Sequence, residues 1–334
     1  MRIGNVYVGL GEGDRSPEIP KIKALLKRKF TPARNTLDDS DLFTPELTAE
    51  VRRVQAVYRS EGKPGAPKYI DGVVNLEFKY DVGLLPRPEK PKPIIFTVEG
   101  HMSNPWNGPC AYTASALEQQ GVCRWQPVGY NTTALPFDNN SGIREFTRLL
   151  NATTMDNGVP FPAGTPWGML IFPQGGIVGC ETFLRMRAQN HWRLKDLKGA
   201  IAFGNPYREK DVIAPWVPDP PKPGTQGISD RRMTDTPEFW REHARHGDLY
   251  AENPDDEVGL NRSSIYKIVA ESSWSGGPAG MLSRITDLIS DPTDGVIDIA
   301  KAIIGGGMFL LNMGPHGIYD LGPCIDFMRD RVHY

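Results

Sequence analysis

Residues 167–184 constrain the fold of this chain more than any other stretch. The apolar run from Met169 to Phe172 has the composition of a buried strand, and it ends at Pro173. Two glycines follow closely, and then apolar residues recur at helical spacing. A strand, a sharp turn and a helix in direct succession are typical of parallel sheets that carry helices on their faces.

The turn matches a catalytic motif whose central residue is replaced. In α/β-hydrolases the same strand, turn and helix carry Gly-x-Ser-x-Gly, and the serine at the apex is the nucleophile. Here Ile171 stands in place of the first glycine and Pro173 in place of the serine, whereas the last glycine, Gly175, is present. Proline has no hydroxyl group, so the function of the chain depends on the consequences of this replacement.

Composition excludes some classes of function. The 334 residues suggest one large domain with a small one, or two domains of middling size. With 38 basic and 40 acidic residues, the chain has no general basic field for nucleic acid. The four cysteines have no metal-binding spacing, so we expect reduced core thiols and no metal or other cofactor, although one disulfide, for instance Cys110 to Cys123, stays open.

The chain shows no sign of targeting to or through a membrane. Its N-terminus lacks the apolar segment of an ordinary signal peptide. The longest apolar stretch, residues 295–312, is broken by Asp298 and Lys301 and is too short to span a bilayer.

Residues 1–85 are predicted to form a small all-α domain. Ser16 is suited to cap a helix over Pro20–Phe30, Thr44 and Pro45 are suited to start a second helix, and a third is expected over Asn75–Asp81. The helix spacing and the Asp-Gly turn before the last helix resemble the peptidoglycan-binding modules of cell-wall hydrolases. A generic three-helix bundle is the alternative.

A proline-rich linker separates this domain from the rest of the chain. Residues 84–93 contain four prolines and several charges, a composition that gives a stiff, extended spacer. We therefore predict a linker over 86–93 and a second domain over 94–334.

Strands alternate with helices in the second domain. Strands are predicted over 94–98, 124–128 and 199–203, and helices over 111–120 and 142–151. This alternation predicts a mainly parallel sheet with helices on both faces. From about 255 to 305 the apolar spacing is helical, which indicates a helical subdomain.

Six short segments of the second domain follow the order found in one protein family. They are Phe96-Thr-Val-x-Gly100, Arg124-Trp-Gln-Pro127, Gln174-Gly-x-Ile-Val178, Gly204-Asn-Pro206, Gly247-Asp-x-Tyr-Ala251 and His316 near Tyr319. From about Pro93 to the C-terminus the chain resembles the lysin B proteins of mycobacteriophages. These are cutinase-like α/β-hydrolases, serine esterases that cut the ester between mycolic acids and arabinogalactan.

The resemblance implies where the protein works and what it meets there. A phage-encoded protein of this kind would be made in the host cytoplasm and act at the mycobacterial envelope, or be carried on the virion. Its expected partners are peptidoglycan and mycolyl-arabinogalactan, with no nucleic acid and no integral membrane segment. The helical subdomain would lie beside the mouth of the site and face long acyl chains, although ordinary packing between helices explains its pattern equally well.

The resemblance also implies the roles of particular residues. Asp248 matches the acid of the catalytic triad and His316 its base, in the chain order that α/β-hydrolases require. Taken singly, Asp248 is an ordinary turn residue and His316 an ordinary loop residue. Their place in the family order favours the catalytic assignment.

Glu99, Gly100 and Gln174 fall in the region of the oxyanion hole. Glu99 stands where family members usually have a histidine, and a carboxylate at the hole would oppose the negative charge that esterolysis develops. The elbow serine usually has a positive φ, whereas proline holds φ near −65°. We therefore expect the turn at Pro173 to be relaxed or reshaped.

Other groups are weak candidates for the missing nucleophile. Cys180 lies seven residues along the next helix and is expected in the core, and no motif supports Ser103 or Cys110. Glu99 with His316 could in principle activate water. Two hypotheses follow: a hydrolase with a non-standard nucleophile, or a non-catalytic protein that binds cell-wall polymer or lipid, for example as a virion component.

Overall fold

The computed structural model describes residues 1–134, 137–271 and 318–334. They divide into two compact units, Met1–Glu89 and Lys90–Tyr334. His316 and the part of the predicted helical subdomain beyond residue 271 lie outside the described residues. Within the described ranges, no helix is both long and apolar enough to cross a membrane.

The first unit is built from short helices around one apolar core. Its elements are strands β1 (Arg2–Ile3) and β2 (Val6–Tyr7) and helices α1 (Ile19–Lys29), α2 (Thr31–Thr36), α3 (Pro45–Ser60) and α4 (Leu76–Val82). The Thr44 hydroxyl accepts a hydrogen bond from the backbone N–H of Leu47 and so caps α3, as its sequence predicts. Leu26, Val51, Val54 and Phe78 are among the fully buried residues of the core.

Two predictions for this unit were wrong: its described residues form four α-helices instead of three, and Ser16 does not cap the first of them. The extended backbone of Phe30 ends α1, and Pro32, in the first turn of α2, starts an additional helix that has too few apolar residues to show a stripe. Ser16 does not cap α1, because Glu18 holds the N-cap position. The Ser16 hydroxyl instead accepts from the backbone N–H of Glu18 and orders the turn before the helix.

The second unit contains a parallel sheet. Its strands are β3 (Ile94–Val98), β4 (Arg124–Pro127), β5 (Trp167–Ile171), β6 (Leu197–Phe203), β7 (Thr225–Gln226), β8 (Trp240–His243) and β9 (Asn253–Pro254). Five of them pair side by side in parallel in the order β4-β3-β5-β6-β8. The short strands β7 and β9 form a separate antiparallel pair.

Helices cover both faces of this sheet. They are α5 (Pro109–Gln119), α6 (Asn139–Asn151), α7 (Gln174–Ala188), α8 (Glu257–Glu271) and a C-terminal helix (Gly322–Arg331). One buried cluster joins the sheet to α6 and α7 through residues such as Phe146 and Phe183. A second joins the opposite face to α5 and the C-terminal helix through residues such as Leu117 and Met328. The predicted architecture, a parallel sheet between two layers of helices, is confirmed.

Candidate functional site

The residues that the sequence singles out gather at the carboxyl edge of the sheet. Glu99 and Gly100 follow β3, Pro173 follows β5, and Asp248 lies in the loop after β8. The backbone N–H of Phe172 donates to the carbonyl of Val98 at 3.0 Å, which joins the ends of β3 and β5. Parallel sheets usually bind their ligands at this edge.

The turn at Pro173 has the backbone of a regular helix start. Pro173 has φ −72° and ψ −35°, and it directly precedes α7. Proline is well suited to the first turn of a helix, because its fixed φ fits there and no N–H is needed. Gly175 and Gly176 donate backbone hydrogen bonds to the carbonyls of Phe172 and Pro173, both at 3.0 Å. The turn is therefore relaxed, as we expected from the proline.

The ring of Pro173 packs against the loop that follows β3. A methyl group added to Gly100 would lie 2.5 Å from Cδ of Pro173, so only glycine fits at position 100 without a shift. Ile171 is accommodated in a similar way. Its side chain is fully buried, and a methyl group on Gly179 would lie 2.6 Å from its Cγ2. Each bulky replacement in the motif thus packs against a residue that has no side chain.

Glu99 points its carboxyl group into the N-terminus of α5. Oε1 accepts a hydrogen bond from the backbone N–H of Ala111 at 2.8 Å. The N-cap residue Gly108 offers no side chain, so Glu99 supplies the acceptor from β3. Burial raises the pKa of Glu99 to about 8, against the lowering effect of backbone N–H donors at Ala111 and Cys110. We expected the Glu99 carboxyl group to face the oxyanion, but it caps the N-terminus of α5 instead.

Asp248 is completely buried. Its Oδ1 accepts hydrogen bonds from the backbone N–H groups of Tyr250 at 2.9 Å and Ala251 at 3.2 Å, which fix the turn that follows. The predicted base, His316, lies outside the described residues. Tyr319, three residues further on, packs edge-on against Phe172 with ring centroids 5.9 Å apart. Tyr319 therefore lies next to the turn at Pro173.

Gln174 opens α7 and contacts a residue that lines a cleft. Its amide nitrogen donates to the side-chain oxygen of Asn139 at 3.1 Å. Beside this contact lies a cleft of about 540 Å³ between α6, α7 and α8. In its wall Glu181 accepts from the hydroxyl of Tyr207 at 3.1 Å and pairs with Arg231 at 2.8 Å. Amide and charged groups thus share the lining of this cleft with apolar residues such as Ile143 and Ile177.

The thiols near the site are not activated. All four cysteines are free and buried, so the disulfide left open by the sequence is absent. Burial raises the pKa of both Cys110 and Cys180 well above the ordinary value. A thiol needs its thiolate form to attack a carbonyl group. Neither cysteine is therefore prepared for nucleophilic chemistry.

One contact between a histidine and a cysteine was missed by the sequence analysis. Nδ1 of His243, at the end of β8, lies 3.2 Å from Sγ of Cys324 on the C-terminal helix. Burial lowers the pKa of His243 to about 4 and raises that of Cys324 to about 12, so the pair is neutral. The two residues are 81 positions apart, and no sequence pattern connects them.

Similar proteins come from two mycobacteriophages. No family model matches the chain. The chain is 28% identical to Endolysin B of Mycobacterium phage D29 and 26% identical to Endolysin B of Mycobacterium phage L5. Each match extends over 256 residues, 71% of this chain and 98% of the relative.

A solved structure gives the same result. The crystal structure of lysin B from Mycobacteriophage D29 matches 71% of this chain and 99% of its own with a TM-score of 0.56. The predicted relationship to the mycobacteriophage lysin B proteins and the predicted α/β-hydrolase fold are thus confirmed.

Proposed function

We propose that this protein acts at the mycobacterial cell envelope as a lysin B relative that binds there without forming a serine acyl-enzyme. The observation that carries the proposal is Pro173 at the position of the nucleophile. It has no hydroxyl group, its backbone is helical, and its ring packs against Gly100. Acyl transfer by a triad needs a hydroxyl at this position for the imidazole to deprotonate.

Among the described residues, the thiols near the turn support loss of the acyl-transfer step. Cys110 and Cys180 are buried as neutral thiols. The carboxyl group of Glu99 accepts a hydrogen bond from the N-terminus of α5, which directs it toward that helix. The alternative, hydrolysis of the mycolyl-arabinogalactan ester by a different nucleophile, finds no support among the described residues.

We assign Asp248 and His316 to the acid and base positions of a triad that has lost its serine. Tyr319, three residues after His316 in the sequence, packs against Phe172, the residue before Pro173. A buried carboxylate in the loop after β8 is suited to orient an imidazole. In this chain the imidazole would meet proline.

The cleft beside Gln174 supports a polysaccharide as the retained ligand. Its walls carry the side chains of Asn139, Asn140, Glu181 and Arg231, which can form hydrogen bonds with hydroxyl groups. Apolar side chains such as Ile143 and Ile177 share the lining, so the cleft offers both hydrogen-bonding groups and apolar surface to a sugar ring. The cleft therefore suits the arabinogalactan portion of the envelope.

We assign the first unit to cell-wall binding. A cleft of about 390 Å³ in this unit is lined by Arg59, Lys63 and Tyr69 among others. Two cations beside an aromatic ring suit the carboxylate-bearing peptides of peptidoglycan. The full chain should sediment with mycobacterial peptidoglycan, and Arg59→Ala with Lys63→Ala should weaken this. The control is Arg34→Ala, because Arg34 is exposed elsewhere on the unit. Equal loss of sedimentation in the control would contradict the assignment.

The test of the proposed function is covalent labelling. A fluorophosphonate probe reacts with activated serines, so we expect no labelling that depends on His316. Hydrolysis of a short-chain p-nitrophenyl ester should likewise be no faster than in His316→Ala. A labelled serine that disappears in His316→Ala would overturn the proposal and identify the substitute nucleophile.

A further inference from the structure

Three large apolar side chains are exposed together near the edge of the sheet that carries Pro173. Met102, Trp106 and Tyr112, which we call the exposed rim, have 56%, 61% and 56% of their surface open to solvent. All three lie between the end of β3 and the second turn of α5. Side chains of this size are normally covered unless they meet a partner.

Hydrogen bonds hold the rim in place. The backbone N–H of Met102 donates to the carbonyl of Thr132 at 2.9 Å, and the Thr132 hydroxyl donates to the carbonyl of Ser103 at 3.1 Å. The N–H of Trp106 donates to the side-chain oxygen of Asn104 at 2.9 Å. The indole of Trp106 rests edge-on against Trp125 with centroids 5.1 Å apart. The apolar groups are therefore presented on an ordered loop.

Met102 has an unfavourable backbone conformation. Its φ is 59°, in the left-handed region, where a residue with a side chain loses about 1–2 kcal/mol. Glycine at this position would avoid that loss. Strain of this kind persists mainly where it contributes to function. Here it accompanies an apolar side chain turned toward water.

The segments that form this surface carry no charged side chain. Residues 100–117 and 125–137 contain no aspartate, glutamate, lysine or arginine, although these types make up 23% of the chain. The titratable group of the first loop, His101, is buried, and burial lowers its pKa. The exposed polar groups of the two segments are amides, hydroxyls, the Trp106 indole N–H and the backbone, all uncharged. Such a surface can move from water into an apolar layer without removing the hydration shell of a charged group.

We infer that the exposed rim inserts into a lipid surface with an electrically neutral head-group layer. Tryptophan and tyrosine favour the boundary between water and lipid, because one end of each side chain is apolar and the other forms hydrogen bonds. Burying an unpaired charged side chain in an apolar layer is costly, and these two segments have none. The inference rests on the proposed binding role at the envelope and names lipid as the partner of this edge of the sheet.

The experiment measures partitioning of the full chain onto phosphatidylcholine vesicles by co-sedimentation. Trp106→Gln should lower the partition coefficient by roughly tenfold or more, since it removes one large apolar side chain from the contact. Trp192→Gln is the matched control, because Trp192 is also on the surface, at 40% exposure, but lies after α7. Equal partitioning of both variants, or none by the unmodified chain, would overturn the inference.

A second variant separates lipid contact from damage to the fold. Met102→Gly removes the side chain and also relieves the left-handed strain. It should partition more weakly while unfolding at an equal or higher temperature. Unchanged partitioning of Met102→Gly would count against insertion of the rim.

Two further outcomes would point to other partners. Binding that weakens steeply with added salt would indicate charge attraction and contradict insertion of an uncharged surface. A dimer in sedimentation velocity that Trp106→Gln dissociates, without vesicle binding, would assign the rim to a second copy of the chain. Ester hydrolysis by the unmodified chain would overturn the proposed function and leave the partitioning result unaffected.

Discussion

Restoring the nucleophile by Pro173→Ser should give a folded protein with little esterase activity. Serine tolerates the backbone angles found at position 173, so the fold should remain. Removing the proline costs about 0.4–1 kcal/mol through the entropy of the unfolded chain. The new hydroxyl would sit in a relaxed first helical turn, whereas a nucleophile elbow is a strained turn at the top of the sheet.

The size of the deficit follows from the turn. Moving residue 173 to positive φ costs about 1–2 kcal/mol. It would also break the backbone hydrogen bonds from Gly175 to Phe172 and from Gly176 to position 173, worth about 1 kcal/mol each. The sum is roughly 3–4 kcal/mol, which corresponds to a loss of more than about 100-fold in kcat/KM.

The assay compares Pro173→Ser with lysin B of phage D29 on a p-nitrophenyl ester. Pro173→Ala is the control, because it frees the same backbone without adding a hydroxyl. Any gained activity should disappear in the double variant with His316→Ala. If Pro173→Ser alone came within about tenfold of the D29 protein, the reasoning that the turn is relaxed around the proline would be refuted.

Two further outcomes are expected around the turn. Burial raises the pKa of Glu99 to about 8 from 4.5, so the folded protein keeps a proton that the unfolded chain releases, and the free energy of unfolding should fall as pH rises through this window. Glu99→Gln should flatten that fall in urea unfolding at about pH 5 and about pH 8; an unchanged slope would contradict the assigned burial. Gly100→Ala should destabilise by about 1–3 kcal/mol, because its methyl group meets the Pro173 ring, and Pro173→Ala should recover part of this loss. Additive effects in that double variant would show that the two residues do not contact each other.

Local pattern predicts the parts of the fold whose sequences are apolar and clearly bounded. The strand and helix around Pro173 could be read because a buried apolar run meets a proline and two glycines. Strand β8 could not, because Glu242 and His243 are buried there without any apolar run. Glu242 is held by hydrogen bonds from Asn205 and Trp240, and these partners are known only from the tertiary structure. A buried polar strand therefore resembles a loop in the sequence.

The candidate site could be located from the sequence, but the directions of its side chains could not. Order along the chain places Glu99 and Pro173 at one edge of a parallel sheet, and they lie there. The direction of the Glu99 carboxyl group depends on where α5 begins and on its lack of a capping side chain at Gly108. That information comes from packing between elements, which single-sequence patterns do not contain.

Ile171 and Pro173, the two replacements in the motif, each pack against a glycine. Reversing them to restore catalysis should therefore reduce the stability of the fold. Ile171 fills the space over Gly179, and the Pro173 ring fills the space over Gly100. Adding Ile171→Gly to Pro173→Ser restores the first glycine of the motif, so activity per folded molecule should exceed that of Pro173→Ser alone.

The same change deletes a fully buried side chain, at a cost of about 3–5 kcal/mol out of the 5–15 kcal/mol typical of a domain. Thermal unfolding and ester hydrolysis, measured on the same samples, check both parts of this prediction. Full stability together with higher activity would mean that Ile171 does not support the core. Lower stability without higher activity would mean that the missing first glycine of the motif does not limit catalysis.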